Sequence, residues 1–295
     1  MAAGLGSRYK GLKQVDGISS NGETIMEFSI YDALEAGFTK IVVVVNSHLP
    51  ESYLKRLDKI AAEKEFELHF VIQTIEKLVP KEFAHLILER QKPWGTAHAI
   101  LCAKEIIQEP FVVLNADDFY GKNAYIEMAS YIDKGLIQKD QFAMVAYPIA
   151  VTLSENGAVA RGICTLNASG YLQEVVEQTK IIQEDSEIVI LENENRWLIP
   201  SSTLVSMNFW GFYPTIFESL QKAFYDFLRS NPDTTSEIYI PTEVQRLIDS
   251  KSVKVNVLQT SDRWYGITYP EDKAQLVLFI SECMANQLYP INLWK

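Results

Sequence analysis

The chain has 295 residues, 47% of them apolar and 22% charged, which is the make-up of a globular protein long enough to bury a sizeable core and excludes disordered and fibrous classes. Its formal charge of −11, from 27 Lys and Arg against 38 Asp and Glu, excludes the extended basic face that nucleic acids and anionic membranes need. A small phosphate-bearing ligand stays allowed, because a few local cations and backbone N–H groups suffice for it. In chain order, the first stretch is MAAGLGSRYKGLK, with three glycines, one arginine and two lysines and almost nothing to build core from. Residues 27–37 then place Phe28, Tyr31 and Leu34 on one helical face, with Gly37 as a stop. KIVVVVN over 40–46 predicts a strand covered on both faces. A helix over 50–64, a strand over 66–72, a helix over 95–107 and a strand over 111–114 follow, the last ending in Asn115-Ala116-Asp117-Asp118. This alternation predicts an α/β fold with a doubly wound, mostly parallel sheet and crossover helices. From about residue 141 the texture changes to strand-length runs at 142–149, 160–166, 171–176, 187–191 and 204–212, which predict antiparallel β additions. Helices over 214–229 and 241–249, a strand over 253–258 and a helix over 270–287 close the chain. In that last helix Leu276, Val277, Ile280 and Met284 share a face. No repeat, low-complexity tract or linker divides residues 1–295, so a single domain is expected.

Cys102, Cys164 and Cys283 are scattered, with no metal-type spacing, and read as buried free thiols in a reducing compartment. No run approaches about 18 uninterrupted apolar residues and no signal-peptide core opens the sequence, so the cytoplasm is the expected location.

The glycine-rich start fits neither common phosphate motif. Gly6 and Gly11 have the P-loop separation, but Leu12-Lys13-Gln14 replaces its Lys and hydroxyl residue. Gly4 and Gly6 open a dinucleotide fingerprint, but Tyr9 stands where its third glycine belongs. What remains is a permissive backbone with two cations, Arg8 suited to fork two phosphate oxygens and Lys13 to act as a point charge. On these residues alone a solvated tail is an equal reading.

MAAGLGSR followed by Lys13 resembles the signature loop of the sugar-1-phosphate nucleotidylyltransferases. The resemblance continues in order along almost the whole chain. Gln91–Ala99 (QKPWGTAHA) is similar to the family's Q-x-x-x-G-T-A-x-A segment, and Phe111–Asp117 (FVVLNAD) to the strand whose closing Asp binds Mg²⁺. Tyr171–Glu177 (YLQEVVE) with Lys180 is similar to the V-E-K-P segment, and Val205–Tyr213 (VSMNFWGFY) to N-x-G-I-Y-x-F. The resemblance implies a Rossmann-like nucleotidyltransferase fold, with residues 1–140 as the nucleotide-binding half and 141–295 as the acceptor half. It also implies Mg²⁺-dependent transfer of a nucleoside monophosphate from an NTP to a sugar 1-phosphate, releasing pyrophosphate. Carried over residue by residue, Arg8, Lys13 and Asp117 become catalytic, with Asp117 the metal ligand. Ala3, Gly4, Gly6, Gln91, Gly95 and Thr96 become nucleotide contacts, and Glu177, Lys180 and Asn208 sugar contacts. Physical need agrees: the attacking phosphate is already ionised, so positioned cations and a hard oxygen ligand supply what the reaction requires.

Simpler roles stand beside several of these. Asp118 reads equally as a helix cap, Trp94 either as a wall of the base pocket or as a lid over the core, His98 either as a base or as a packed histidine, Glu177 and Lys180 as a surface pair, and Asn208 as a backbone clamp. Gly266 in Trp264-Tyr265-Gly266 stands where the family often carries a second metal-binding Asp, which leaves three readings: Asp262 takes over, a water does, or Asp117 and phosphates hold the metal alone. Two other functions compete: a cytidylyltransferase for a polyol or choline phosphate, and a catalytically silent nucleotide-sugar-binding subunit. Only Met1-Ala2-Ala3 precede the loop where relatives have a whole apolar strand. The expectation is a sheet lacking its first strand, with Met1 at that strand's last apolar position and the true start upstream.

Overall fold

A computed structural model describes residues 1–4, 15–192, 195–267, 269 and 271–295. Helix α1 (Ile25–Glu35) opens on a capping box, in which Thr24 Oγ1 accepts from the Glu27 amide at 3.3 Å and Glu27 Oε2 accepts from the Thr24 amide at 2.9 Å. Strand β1 (Lys40–Val45), helix α2 (Glu51–Lys64) and strand β2 (Glu67–Ile72) form a parallel β-α-β unit with Lys40 opposite Glu67 and Val45 opposite Ile72. The buried stripe of α2, Tyr53, Leu57, Ile60 and Ala61, covers that pair. Helix α3 (Thr96–Leu101) is shorter than its sequence suggests, because the chain loosens into turns after Leu101. Strands β3 (Phe111–Val113) and β4 (Asp118–Phe119) and helix α4 (Lys122–Asp133) complete the first half.

The second half contributes β5 (Gln141–Pro148), β6 (Val159–Leu166), β7 (Leu172–Glu184), β8 (Glu187–Glu192), β9 (Asn195–Ile199) and β10 (Leu204–Phe212). Helices α5 (Ile216–Arg229) and α6 (Ile240–Asp249), strands β11 (Lys254–Gln259) and β12 (Tyr265–Gly266), and helix α7 (Asp272–Ala285) follow. The large sheet runs β11-β5-β10-β6-β7-β8-β9, parallel only at β11–β5. The α/β class and the antiparallel additions are therefore present, and the antiparallel part makes up most of this sheet. Its centre is dry: Ala143 to Tyr147 and Phe209, Trp210 and Phe212 are fully buried, with Phe142 1% exposed.

At β10 the sheet forks. One edge of β10 pairs with β5 along its length, while the other pairs with β6 at Val205–Ser206 and with β3 at Trp210–Phe212. A bulge between Ser206 and Phe209 turns the strand at the branch, and Asn208 adopts a left-handed conformation there, φ 64°. The first residues sit between β1 and the end of β3. The Ala2 amide donates to Val44 O at 2.6 Å, Met1 N to Leu114 O at 2.7 Å, and the Ala116 amide to Met1 O at 3.0 Å. Before that short bridge, no ladder joins β1 to β3 among the described residues.

Candidate active site

The carboxyl ends of β1, β2 and β3 gather one group of candidates. Asn46, just past β1, donates from Nδ2 to the Ala3 carbonyl at 3.1 Å. Gln73, just past β2, donates its amide to Val45 O at 2.8 Å and its side chain to the Gly95 carbonyl at 3.1 Å. Gly95 has φ +97°, and a Cβ on it would stand 2.2 Å from the Ile238 carbonyl oxygen, so no other residue fits this turn. Asp117, half-buried, lies in the turn after β3, whose Ala116 amide is bonded to Met1. Ala3, Gly4, Gly95 and Asp117 thus share the edge where open α/β sheets hold their ligands. Burial lowers the Met1 amino group to about 6 against the opposing pull of Asp117 and Asp118, which places both carboxylates near the start of the chain. Arg8, Lys13 and Gly6 lie outside the described residues.

Around Gly95 most side chains have structural work. Thr96 Oγ1 accepts from the Ile240 amide at 3.1 Å and so holds the start of α6. Exposed Gln91 is joined to the same region through its amide, which donates to Thr234 O at 3.1 Å. Trp94 is fully buried, donates to Ile75 O at 2.7 Å and packs edge-on against Phe224 and Phe227, so it is a core residue and not a wall of an open pocket. His98 is fully buried between Gln73 Nε2 at 3.0 Å and Lys77 O at 2.8 Å, and burial lowers its pKa to about 4. It is the packed, neutral histidine of the two readings.

A second group faces the fork. Asp118 sits in β4 opposite Gly266 and accepts from Asn115 Nδ2 at 2.9 Å. It does not cap the next helix. Asp262 does, accepting from the Asn123 amide at 2.6 Å and from its side chain at 2.7 Å, which engages both oxygens of the proposed substitute ligand at α4. Gly266 has no room for a side chain as packed here, because a Cβ on it would lie 2.1 Å from the Trp264 ring. Asn208 donates to Asn115 Oδ1 at 2.8 Å and accepts from Trp210 Nε1 at 2.8 Å, so its amide ties the branch of the sheet to the loop carrying Asp117.

Glu177 pairs across the strands with Gly162, which pairs in turn with Ser206, so one row connects β7, β6 and β10. Regular alternation would put Glu177 and Lys180 on opposite faces. The register shift facing Val159–Arg161 inserts an extra residue in β7 between Gln178 and Ile181, which brings Lys180 round to the Glu177 face. Both are exposed. Desolvation lifts the Glu177 pKa, and the nearby charge of Arg161 opposes the lift.

Arg161 was missed by sequence reasoning. It is 7% exposed, donates to the Ala160 carbonyl at 2.7 Å and to Thr152 O, and stacks 4.7 Å over the Trp264 ring. Burial lowers its pKa to about 10, against the pull of Asp118, Glu177 and Asp272, so it stays a fixed cation at neutral pH. A charged residue at an inward position of the run VARGICTL was the available signal. Among the described residues no group of three His, Cys, Asp or Glu side chains could hold a metal. Cys102, Cys164 and Cys283 are buried with raised thiol pKa values, and no described helix is long and apolar enough to cross a membrane.

Residues 2–267 match the model of the family described as nucleotidyl transferase. A UTP–glucose-1-phosphate uridylyltransferase of Haloferax volcanii is 23% identical over 276 residues, covering 92% of this chain and 91% of the relative. A UDP-glucose pyrophosphorylase solved with UDP-glucose superposes with a TM-score of 0.60 at 19% identity, covering 95% of this chain and 96% of that one. An inositol-1-phosphate CTP transferase from T. maritima does so with a TM-score of 0.60 at 13% identity, over 96% and 94%.

Proposed function

The chain belongs to the nucleotidyl transferase family, and from that premise we propose that it transfers a nucleoside monophosphate from an NTP to a sugar 1-phosphate in the cytoplasm. One observation supports this reading: Ala3, Gly95 and Asp117 lie by the carboxyl ends of β1, β2 and β3, and the row through Glu177 runs across β7, β6 and β10 at the fork. In this reading Ala3, Gly4, Gly6, Gln91, Gly95 and Thr96 bind the nucleotide, within a half formed by residues 1–140. Glu177 and Lys180 meet the sugar phosphate in the half formed by 141–295, while Asn208 keeps the loop of Asp117 aligned.

In the reaction an acceptor phosphate oxygen forms a bond to the α-phosphorus. The bond from that phosphorus to the bridging oxygen breaks, and pyrophosphate leaves with the electron pair. No proton has to move. Arg8 and Lys13 stabilise charge on the phosphate oxygens as it shifts. Mg²⁺, held by Asp117 together with phosphate oxygens and water, would neutralise part of that charge.

UTP and glucose 1-phosphate, the pair in the name of the Haloferax relative, are the first substrates to try. Pyrophosphate release is expected with Mg²⁺, and Asp117→Asn should lower kcat by about 10²-fold or more while the melting temperature holds. Release with CTP and a polyol phosphate alone would replace the sugar reading. No release with any NTP across an acceptor panel would sink the enzyme assignment.

A further inference from the structure

Between the segment that carries Lys13 and helix α1 the chain makes a narrow turn. Gly17 bridges Thr24, the Ile18 amide donates to Glu23 O at 2.8 Å, and the Gly22 amide donates to Ser19 O at 3.1 Å. A Cβ on Gly17 would stand 2.9 Å from the Gly22 Cα, so the two arms of the turn touch. A turn of this size is marginal in water by itself. Helix α2 supplies two outside partners, Tyr53 to Thr24 at 2.6 Å and Arg56 to Glu27 at 2.8 Å. The far end of the chain supplies more. Asn21 Nδ2 donates to Ile291 O at 2.5 Å, the Leu293 amide to Glu23 Oε1 at 3.2 Å, and Trp294 Nε1 to Glu27 Oε1 at 3.2 Å. Tyr289 OH donates to Asp32 Oδ2 at 2.7 Å, and Lys273 Nζ, in the first turn of α7, pairs with Asp16 at 2.6 Å. We propose that residues 289–294 are a strap that positions Lys13 for catalysis, by fixing the stretch through which its segment enters α1.

Three observations specify the strap. Glu23 is 1% exposed and Glu27 fully buried, and a buried carboxylate is costly without donors. Each takes one of its donors from the strap, so the strap completes the polar groups at the start of α1. The apolar contact is continuous with these bonds: Ile18, Tyr289 and Leu293 are buried in one cluster with Phe28, Phe119, Leu276 and Ile280. The rings of Tyr289 and Trp294 also meet Tyr31 edge-on. The reach of the chain then connects the strap to the chemistry. Lys13 stands three positions before Asp16, and three residues span at most about 10 Å. Where the turn is held therefore bounds where the Lys13 backbone can lie. This step rests on the reading of Lys13 as a phosphate ligand. None of residues 289–294 is among those assigned to nucleotide, acceptor or metal, so the strap acts through the turn and touches no reacting atom.

Two variants loosen the strap by different amounts. Trp294→Phe keeps an aromatic ring and drops the N–H to Glu27, and deletion of residues 293–295 also removes the amide that bonds Glu23. In the free protein, amide exchange at Ile18 and Gly22 should quicken about tenfold or more in the deletion and by a smaller factor in Trp294→Phe, with the amides of β5 unchanged. This measurement needs no substrate. With UTP, Mg²⁺ and glucose 1-phosphate, kcat/KM for UTP should fall about tenfold or more in the deletion, while KM for the sugar phosphate stays within about twofold. Reciprocally, UTP with Mg²⁺ should slow exchange of the Leu293 amide in the intact chain. Unchanged exchange at Ile18 and Gly22 in both variants would overturn the strap, whatever the enzyme does. Faster exchange with equal losses toward UTP and the sugar phosphate would also overturn it, leaving residues 289–294 as a clasp for stability alone. If the deletion does not fold, Trp294→Phe decides on the same readings. Absence of turnover with every NTP would strike the transferase reading and the role given to Lys13, and exchange in the free protein would still show whether the strap holds the turn.

Discussion

His98 shows at the residue scale how a buried neutral ring can help to fix a turn. Gln73 Nε2 donates to its Nδ1 at 3.0 Å, which leaves Nε2–H to donate to Lys77 O at 2.8 Å. The same Gln73 side chain holds the Gly95 carbonyl, so the neutral ring indirectly holds the turn assigned to the nucleotide. A proton arriving at Nδ1 would face the Gln73 donor. The folded pKa of about 4 lies below the unfolded value of about 6.5, so the unfolded chain binds the proton more readily. The stability from this residue is therefore complete above about pH 6.5 and is lost as pH falls toward 4. Urea melts at pH 7 and pH 4.5 should show wild type losing on the order of 1–3 kcal/mol more than His98→Asn over that interval. Parallel losses in the two proteins would mean that the ring is not held neutral.

At the scale of elements, Arg90 joins two loops that each introduce a helix. It donates to Lys92 O at 2.7 Å and Pro93 O at 3.0 Å on its own loop, and to Asp233 O at 2.8 Å and Ser236 O on the loop before α6. Its guanidinium lies 4.0 Å over the Trp94 ring. Arg90→Met should cost about 2–4 kcal/mol in a denaturant melt, and Arg90→Lys should not restore it, because one ammonium cannot replace the planar fork. Full rescue by lysine would reduce Arg90 to a simple charge. Elements with an unbroken apolar signal were legible in the sequence. β10 has the bounds its pattern indicates, and α2, β2, α5 and β11 differ from theirs by a residue or two. The second half of β7 was not legible, because its Glu, Gln, Thr and Lys residues face solvent and leave no alternation to read. β9 is exposed along most of its length for the same reason. Helix α4 buries only the short stripe Ala124, Tyr125, Met128 and Ala129. In the site, motif residues close in sequence could be named from the chain, but the partners that fix them could not. Asn208 meets Asn115 across 93 positions and Gln73 meets Gly95 across 22, distances over which local pattern carries no information.

For the whole molecule, the nucleotide assigned here would bridge separate loops, since its proposed contacts run from Ala3 through Gly95 to Asp117. Binding to the native state alone stabilises it by mass action, about 2.7 kcal/mol at a hundredfold excess over Kd. The right triphosphate with Mg²⁺ should therefore raise the melting temperature by roughly 3–6 °C. Five nucleotides, UTP, dTTP, CTP, ATP and GTP, tested in parallel would rank the base preference, and a flat response to all of them would remove the nucleotide site. The forked strand has a consequence for how such a protein is made. β3 and β5 leave the ribosome well before β10, yet β10 is the ladder partner of both, and the other neighbour of β5, β11, comes later still. Until Leu204–Phe212 has been synthesised, Phe111–Val113 and the apolar run of Gln141–Pro148 have no strand to lie against. Those two segments are where a nascent chain of this protein is most open to aggregation, and where a chaperone would have most to cover.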